Sequence, residues 1–422
     1  TLDADTYPVL AGATVYLVND CQGNQHYMNE NETLLHDFTG ATNGICILCD
    51  KGYQKPEGEG TAESPYKITN AGELYSFARL VNIGKQASAN AILMADIDLE
   101  GRMWYPIGLY NDVAEEKGAP VQQKYSGGLD GNGHTISNFV ASGSGSQGLI
   151  GYTSEDVTVK NLGVINATVS GWNVGAILAF YGTVENCYVI NCTITAYTSN
   201  TSSVGVYGGA VAGAQAATVK NSFAMDCTVV AGEGMSDKAK LAPVGGKTTE
   251  NCYYANVTAA NGTFRESTDE INATSAQLAS GEVAWLLQSG NTEQIWGQQN
   301  NQPGARPVFD FAGLYKVAKI DGTENFSVSN IGDTNGDNLI DVLDYQAVVN
   351  EMLADNNEQI EAEGYDDIIK YDLDGDGYLD VIDAALMQRV ISGNETVDVY
   401  AVGDIDCNGI ALEESDLGVI KH

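Results

Sequence analysis

A mainly β fold, a right-handed parallel β-solenoid with capping helices followed by a small α-helical metal-binding module, is the class this sequence predicts. Three observations lead there. Glycine is frequent at 48 residues and proline scarce at 8, while Thr, Asn, Val and Ile recur in short runs, the composition of many strands joined by tight turns. Four segments repeat one pattern. They are Thr158-Val-Lys-Asn-Leu-Gly-Val-Ile-Asn-Ala-Thr-Val, Thr183-Val-Glu-Asn-Cys-Tyr-Val-Ile-Asn-Cys-Thr-Ile, Thr218-Val-Lys-Asn-Ser-Phe-Ala-Met-Asp-Cys-Thr-Val and Thr248-Thr-Glu-Asn-Cys-Tyr-Tyr-Ala-Asn-Val-Thr. Asp falls at alternate positions after Asp333, a periodicity unlike the like-charge blocks of disordered tails.

The repeat starts lie 25, 35 and 30 residues apart. A solenoid coil takes about 20 to 30 residues, and successive coils pair at roughly 4.8 Å, so equivalent positions stack. Asn161, Asn186, Asn221 and Asn251 are then expected to form an internal ladder that satisfies turn backbone, a structural role. Cys192 and Cys227 share one register and Cys187 and Cys252 another, which reads as stacked, buried, reduced thiols.

Upstream, Asn70-Ala-Gly-Glu73 is a capping box opening a helix with Leu74, Phe77, Leu80 and Val81 on one face and Gly84 as its stop. This helix is expected to cap one solenoid end. The strands begin at Ala91-Ile-Leu-Met-Ala-Asp-Ile-Asp-Leu, and Leu129-Asp-Gly-Asn-Gly-His-Thr-Ile carries turn signals between strands. Thr274-Ser-Ala-Gln277 and Val283-Ala-Trp-Leu-Leu predict one or two short closing helices. The expected organisation is 1–20 as the end of a preceding repeat unit, 21–58 a small Cys/His module, 59–260 the solenoid and 261–322 closing helices and a strand. A linker at 323–330, a two-loop module at 331–394 and a third loop with tail at 395–422 complete it.

The segments Gly60-Thr-Ala-Glu-Ser-Pro-Tyr-Lys-Ile, Ala95-Asp-Ile-Asp-Leu, Trp104-Tyr-Pro-Ile-Gly and Leu129-Asp-Gly-Asn-Gly-His-Thr-Ile resemble GLUG-repeat solenoids of bacterial surface proteins and adhesins, over about residues 59 to 260. That resemblance implies fold more than activity. A second echo links Thr6-Tyr-Pro-Val-Leu-Ala-Gly-Ala-Thr-Val-Tyr-Leu-Val to Ala305-Arg-Pro-Val-Phe-Asp-Phe-Ala-Gly-Leu-Tyr-Lys-Val, as if the chain came from a longer array. Were Thr1 a natural start, residues 1 to 20 would be free to complete a neighbouring molecule by strand addition, giving head-to-tail self-association.

The strongest site signal is Asp333-Thr-Asn-Gly-Asp-Asn-Leu-Ile-Asp-Val-Leu-Asp344. Ca²⁺ takes six to eight hard oxygen ligands at about 2.3–2.6 Å. Counting from Asp333, the side chains of Asp333, Asn335, Asp337, Asp341 and Asp344 with the Leu339 carbonyl supply them at positions 1, 3, 5, 9, 12 and 7. A second loop repeats the set with Asp372, Asp374, Asp376, the Tyr378 carbonyl, Asp380 and Asp383. Asn338 stands where the second loop has Gly377, and Asn tolerates the left-handed backbone of that turn. Without metal these carboxylates repel one another, so calcium binding and folding are expected to be coupled. An amphipathic stretch follows each loop, and none precedes the first.

This loop-then-helix duplication, with Asp at position 12, resembles dockerins, the modules that plug proteins into cohesin-bearing scaffolds. The resemblance implies calcium-dependent binding of a cohesin-like module through the helix faces and Val342, Leu343, Val381 and Ile382. A third, imperfect loop, Asp404-Ile-Asp-Cys-Asn-Gly-Ile, offers Asp404, Asp406, Asn408, the Ile410 carbonyl and Asp416 if one residue is inserted; the alternative is an acidic tail packed on the module.

Near the start, Cys46-Ile-Leu-Cys49 with His36 and Cys21 matches a structural Zn²⁺ tetrahedron, against a Cys46–Cys49 disulfide or free thiols as the other reading. No catalytic residue is assigned. Asp96, Asp98, Asp130 and His134 share the first coils, yet Asp in turns is ordinary, and Trp104, Tyr105 and Trp172 as a sugar-stacking platform compete with packing roles. Lys plus Arg number 20 against 56 Asp plus Glu, a formal charge of −36, which disfavours nucleic acid and anionic lipid partners. No run of about 18 apolar residues suggests membrane insertion, and no signal peptide is evident.

The function expected is therefore an extracellular or bacterial cell-surface, noncatalytic adhesion protein of a cohesin-using bacterium. Its partners would be a cohesin-like module and a polysaccharide or host glycan. A dockerin-bearing carbohydrate-active enzyme with a β-helix catalytic domain and a self-assembling filament subunit are the alternatives.

Overall fold

A computed structural model describes residues 16–19, 25–28, 44–45, 54–110, 122–198, 205–213, 216–267, 269–298, 305–311, 315–320, 325–328, 343–347, 349, 360–361, 378–379 and 384–386. The chain divides into two compact units, Thr1–Ile271 and Asn272–His422.

In the first unit the repeated segments become stacked coils of a parallel β-solenoid. Thr158–Lys160, Thr183–Glu185, Thr218–Lys220 and Thr248–Glu250 pair in parallel, threonine against threonine. This sheet continues upstream through Leu129–Asp130 and Ala91–Leu93 to Tyr66–Ile68, seven strands in all. A second seven-stranded sheet runs from Ile97–Asp98 through Gly163–Ile165 and Tyr188–Ile190 to Glu270–Asn272. A third sheet of five strands stacks Val140–Ser142, Thr168–Gly171, Thr193–Ala196, Thr228–Ala231 and Thr258–Ala260. Ser146–Gln147, Asn173–Val174, Val206–Gly209 and Ala239–Ala242 make a fourth.

Strand periodicity turns alternate residues inward, and the inward columns are aliphatic. Val159, Val184 and Val219 stack behind the first sheet, Val164, Val189 and Ala224 behind the second, and Val169, Ile194 and Val229 behind the third, all fully buried. Each Val or Ile so placed contributes about 1.5–3 kcal/mol of burial. The outward column of the first sheet alternates in charge, in the register Asp130, Lys160, Glu185, Lys220, Glu250. Lys160 lies 3.1 Å from Asp130, and Lys220 lies 3.1 Å from Glu250. A slip of one residue would send valines outward and charges inward, so both columns specify the same register.

Corners between sheets need left-handed backbone, and asparagine supplies it. Asn161, Asn186, Asn221 and Asn251 have φ of 54°, 51°, 44° and 52°. The expected ladder is continuous only at its ends. Asn161 Nδ2 donates to Asp130 Oδ1 at 3.1 Å and Asn251 Nδ2 to Asn221 Oδ1 at 2.9 Å, whereas the buried Oδ1 atoms of Asn161 and Asn186 accept no hydrogen bond. A second ladder, at the next corner, is better connected. Asn191 donates to Asn166 (2.7 Å), Asn166 to Asn138 (3.0 Å) and Asn138 to Asp98 (2.9 Å). Further along the stack, Asn256 donates to Asp226 (3.0 Å). Asp226 has no donor to pass on, which ends that run.

The four cysteines of the coils, Cys187, Cys192, Cys227 and Cys252, are free and buried. Cys192 N–H donates to Cys227 Sγ at 3.5 Å, the stacking expected of in-register thiols.

Helix α1, Ala71–Asn82, packs on the coil at the Tyr66 end, with Leu74, Phe77 and Val81 fully buried and the Phe77 ring 6.1 Å from those of Tyr66 and Tyr125. Asn70 accepts from Glu73 N–H, but the Glu73 carboxylate reaches back to Thr69 N–H and Oγ1, one residue earlier than a simple capping box. At the other end, the fully buried carboxylate of Glu270 accepts from Val244 N–H at 2.9 Å and from Arg265 at 2.7 Å, satisfying backbone of the last coil.

In the second unit, α2, Ser275–Ser280, opens with a complete Thr274/Gln277 capping box and α3, Glu282–Gln288, follows. These helices fall on the far side of the unit boundary from the solenoid, which divides the 261–322 segment. Trp296–Gln298 pairs antiparallel with Pro307–Phe309, and Val317–Lys319 with Phe326–Val328. Tyr16–Asn19 in the first unit likewise forms an antiparallel hairpin with Gln25–Met28. Both copies of the sequence echo therefore run into a hairpin, and part of the 1–20 segment expected to reach a neighbour is paired within its own chain.

Candidate calcium loops and the flanks of the solenoid

Residues 343–347 and 384–386 are helical, so helix covers position 12 of the first acidic loop and is present directly after position 12 of the second. Asp344, at position 12 of the first loop, is fully buried. An ionised carboxylate at such a site needs compensation by charge or donors, and a ligated cation supplies it. Tyr378, whose carbonyl is the position 7 donor of the second loop, lies in the strand Tyr378–Leu379, paired antiparallel with Ile360–Glu361. The all-oxygen donor set and the buried Asp344 fit a hard divalent cation.

Asp333, Asn335, Asp337, Leu339, Asp341, Asp372, Asp374, Asp376, Asp380 and Asp383 lie outside the described residues. So do Asp404, Asp406, Asn408, Ile410 and Asp416 of the third loop and the zinc set Cys21, His36, Cys46 and Cys49. Among the described residues no group of three or more His, Cys, Asp or Glu is placed to hold a metal. Of the expected partner contacts, Val342, Val381 and Ile382 also lie outside the described residues, while Leu343 is 59% exposed beside the buried Asp344.

On the solenoid, the carboxylates of the first coils are engaged in structure. Asp98 Oδ1 accepts from Glu100 N–H and Asn138 Nδ2. Asp130 accepts from Asn132 N–H and Asn161 Nδ2 and pairs with Lys160. Asp96 lies 3.5 Å from His134 and accepts from Thr135 N–H at 2.7 Å. The hydrogen bond from His134 holds the Asp96 carboxyl below its usual range, with Thr135 assisting against partial burial. A groove of about 510 Å³ runs along the first sheet, lined by Asn90, Ile92, Asp130, Asp156 and Lys160 among others, with no aromatic side chain. The third sheet presents Thr168, Thr193 and Thr258 to solvent beside the exposed Asn166, Asn191 and Asn256.

The three aromatic candidates separate. Trp104 is buried, donates Nε1–H to Leu149 carbonyl at 2.9 Å and packs 5.2 Å from Tyr75, a role under α1. Tyr105 is half-buried and makes no ring contact with Trp172. Trp172 joins a different aromatic group, on the fourth sheet, that the sequence reading did not assemble.

Residues 331–392 match the family model of the dockerin type I domain. This segment is a dockerin type I domain. Dockerin domains bind cohesin modules, typically hold calcium and typically belong to extracellular or cell-surface proteins, so the match suggests a cohesin-binding module at 331–392. The chain is also 34% identical over 139 residues to halomucin of Haloquadratum walsbyi, covering 31% of this chain and 1% of halomucin. No solved structure matches the chain. Among the described residues no helix is long and apolar enough to cross a membrane.

Proposed function

We propose that this chain is an extracellular, noncatalytic surface or adhesion protein, held on a cohesin-bearing partner by its dockerin while the solenoid presents its flanks to a ligand. The dockerin match at 331–392 carries this reading. Two Ca²⁺ ions, one per complete loop, would be held by Asp333, Asn335, Asp337, Leu339, Asp341 and Asp344 and by Asp372, Asp374, Asp376, Tyr378, Asp380 and Asp383. They neutralise carboxylates that otherwise repel, and so fix the two helices, the first of which displays Leu343. The noncatalytic half of the proposal is supported by the groove. Its Asp130 is committed to Asn132, Asn161 and Lys160, which gives that carboxylate a structural role. Regular Thr and Asn ranks on the third sheet suit adhesion better than turnover.

The test is capture of the whole chain by a cohesin module with Ca²⁺ and with EDTA, for the native protein and for Asp333→Ala with Asp372→Ala. Capture should need calcium and vanish in the double variant, while the β-rich circular dichroism is retained. Undiminished capture of the double variant in EDTA would refute the attachment.

A further inference from the structure

Six aromatic side chains from four coils converge on the flank formed by the fourth sheet and its neighbouring strands. Tyr110 stacks on Trp172 at 5.9 Å and 24°, and Tyr152 on Phe180 at 5.9 Å and 26°. Trp172 in turn meets Phe180 at 6.0 Å and Tyr207 at 6.2 Å, and Phe180 touches Tyr181 at 4.3 Å. Phe180 is the buried floor, whereas Tyr110, Tyr152, Trp172, Tyr181 and Tyr207 each keep part of their surface in water.

Two features separate this cluster from ordinary core packing. Lysines lie over its rings: Lys124 Nζ is 5.7 Å from the Tyr152 centroid and 5.8 Å from Tyr181, and Lys240 Nζ is 5.4 Å from Tyr207. Neither ammonium forms an ion pair among the described residues, in a chain with 56 acidic side chains to 20 basic ones. The other feature is Tyr181, with φ of 62°, the one aromatic residue among the described residues held in the left-handed region. Most left-handed positions of this protein carry Asn, Asp or Gly, Lys85 and Glu100 being the other exceptions, and neither of those is aromatic. A bulky side chain there is strained, and retained strain of this kind points to use of the side chain rather than to folding.

We infer that this flank binds an acidic polysaccharide. The apolar C–H face of a pyranose ring stacks on tyrosine or tryptophan, and a row of partly exposed rings along coils about 4.8 Å apart suits an extended chain of such rings. Lys124 and Lys240, over the Tyr152, Tyr181 and Tyr207 rings, supply the positive charge for uronate carboxylates of a chain stacked on the remaining open ring faces. At an ionic strength of about 0.15 M the screening length is about 8 Å, so the protein's distant negative charge is damped and the local lysines act. The inference names a ligand class for the solenoid of the adhesion reading, and it stands whether or not the dockerin anchors the chain.

The experiment is affinity electrophoresis of the full chain through gels containing hyaluronate, an acidic glycan, or dextran, a neutral one. Hyaluronate should retard the native chain and dextran should not. Trp172→Ala with Tyr207→Ala should weaken retention about tenfold or more. Lys124→Met with Lys240→Met should abolish the preference for hyaluronate. Tyr181→Asn should lower retention while leaving Tm unchanged or higher, because Asn accepts the left-handed backbone. Calcium-dependent cohesin capture, followed on the same samples, reports the anchoring reading separately. No retardation of the native chain, equal retardation by dextran, or unchanged retention of the aromatic variants would overturn the inference.

Discussion

Asn166 offers a direct measure of what holds the coils in register. It sits at φ 57°, donates to Asn138 at 3.0 Å and accepts from Asn191 at 2.7 Å, in the middle of the exposed corner ladder. Asn166→Ala imposes a left-handed alanine, costing about 1–2 kcal/mol, and removes two side-chain hydrogen bonds worth roughly 0.5 kcal/mol each at a solvated site. The expected loss is about 2–3 kcal/mol, or roughly 4–12 °C in Tm for a unit of this size. Asn166→Gly keeps the backbone conformation at no steric cost and should lose only the hydrogen bonds and some chain entropy, about 1–2 kcal/mol. Urea unfolding followed by the β circular dichroism band would rank the three proteins native, Gly, Ala. An alanine variant as stable as the glycine variant would refute the argument that backbone handedness, rather than the side-chain ladder, is the main reason for asparagine here.

Leu343, 59% exposed at the head of its helix, should weaken cohesin capture strongly when changed to Asp, with calcium uptake by calorimetry unaltered. Burial pushes the Cys252 thiol up to about 12 and Cys187 further, and Cys192 is raised by its hydrogen bond with Cys227 and by burial, so these coil thiols should resist iodoacetamide at about pH 8 until the protein is unfolded. Mass spectrometry of labelled peptides reads this, and rapid native labelling of Cys187, Cys192 and Cys252 would contradict the buried stack. Because Asp96 is held below its ordinary 3.8 in the folded protein, its pairing with His134 stabilises at higher pH, and that contribution fades as pH falls from the ordinary value through the lowered one. The effect is small for a side chain 71% exposed, and His134→Gln should flatten the acid limb of urea midpoints measured between about pH 6 and pH 2.

Much of the candidate chemistry was legible in linear order because its parts are local. A calcium loop takes its donors from twelve consecutive positions, and a capping box from four, so spacing alone reveals them. The corner asparagines of the second ladder were equally visible, as Asn166, Asn191, Asp226 and Asn256 recur five residues after the first set, but only that first set was read as a ladder. The first coils were harder. Leu129–Asp130 and Ala91–Leu93 continue the same sheet with no Thr-Val-x-Asn signature, since two or three residues per strand carry too little pattern to align.

The sequence by itself determined the repeating strand code, the register it demands, the helix caps and the paired acidic loops, because each is encoded by residues a few positions apart. Only the tertiary structure decided which distant side chains meet. Tyr110, Tyr152, Trp172 and Tyr207 belong to different coils joined by connections of unequal length, and pairing between coils, not spacing along the chain, sets their separation. The same stacking put Lys124 and Lys240 over rings and forced Tyr181 into a left-handed corner, contacts that no periodicity in the linear chain announces.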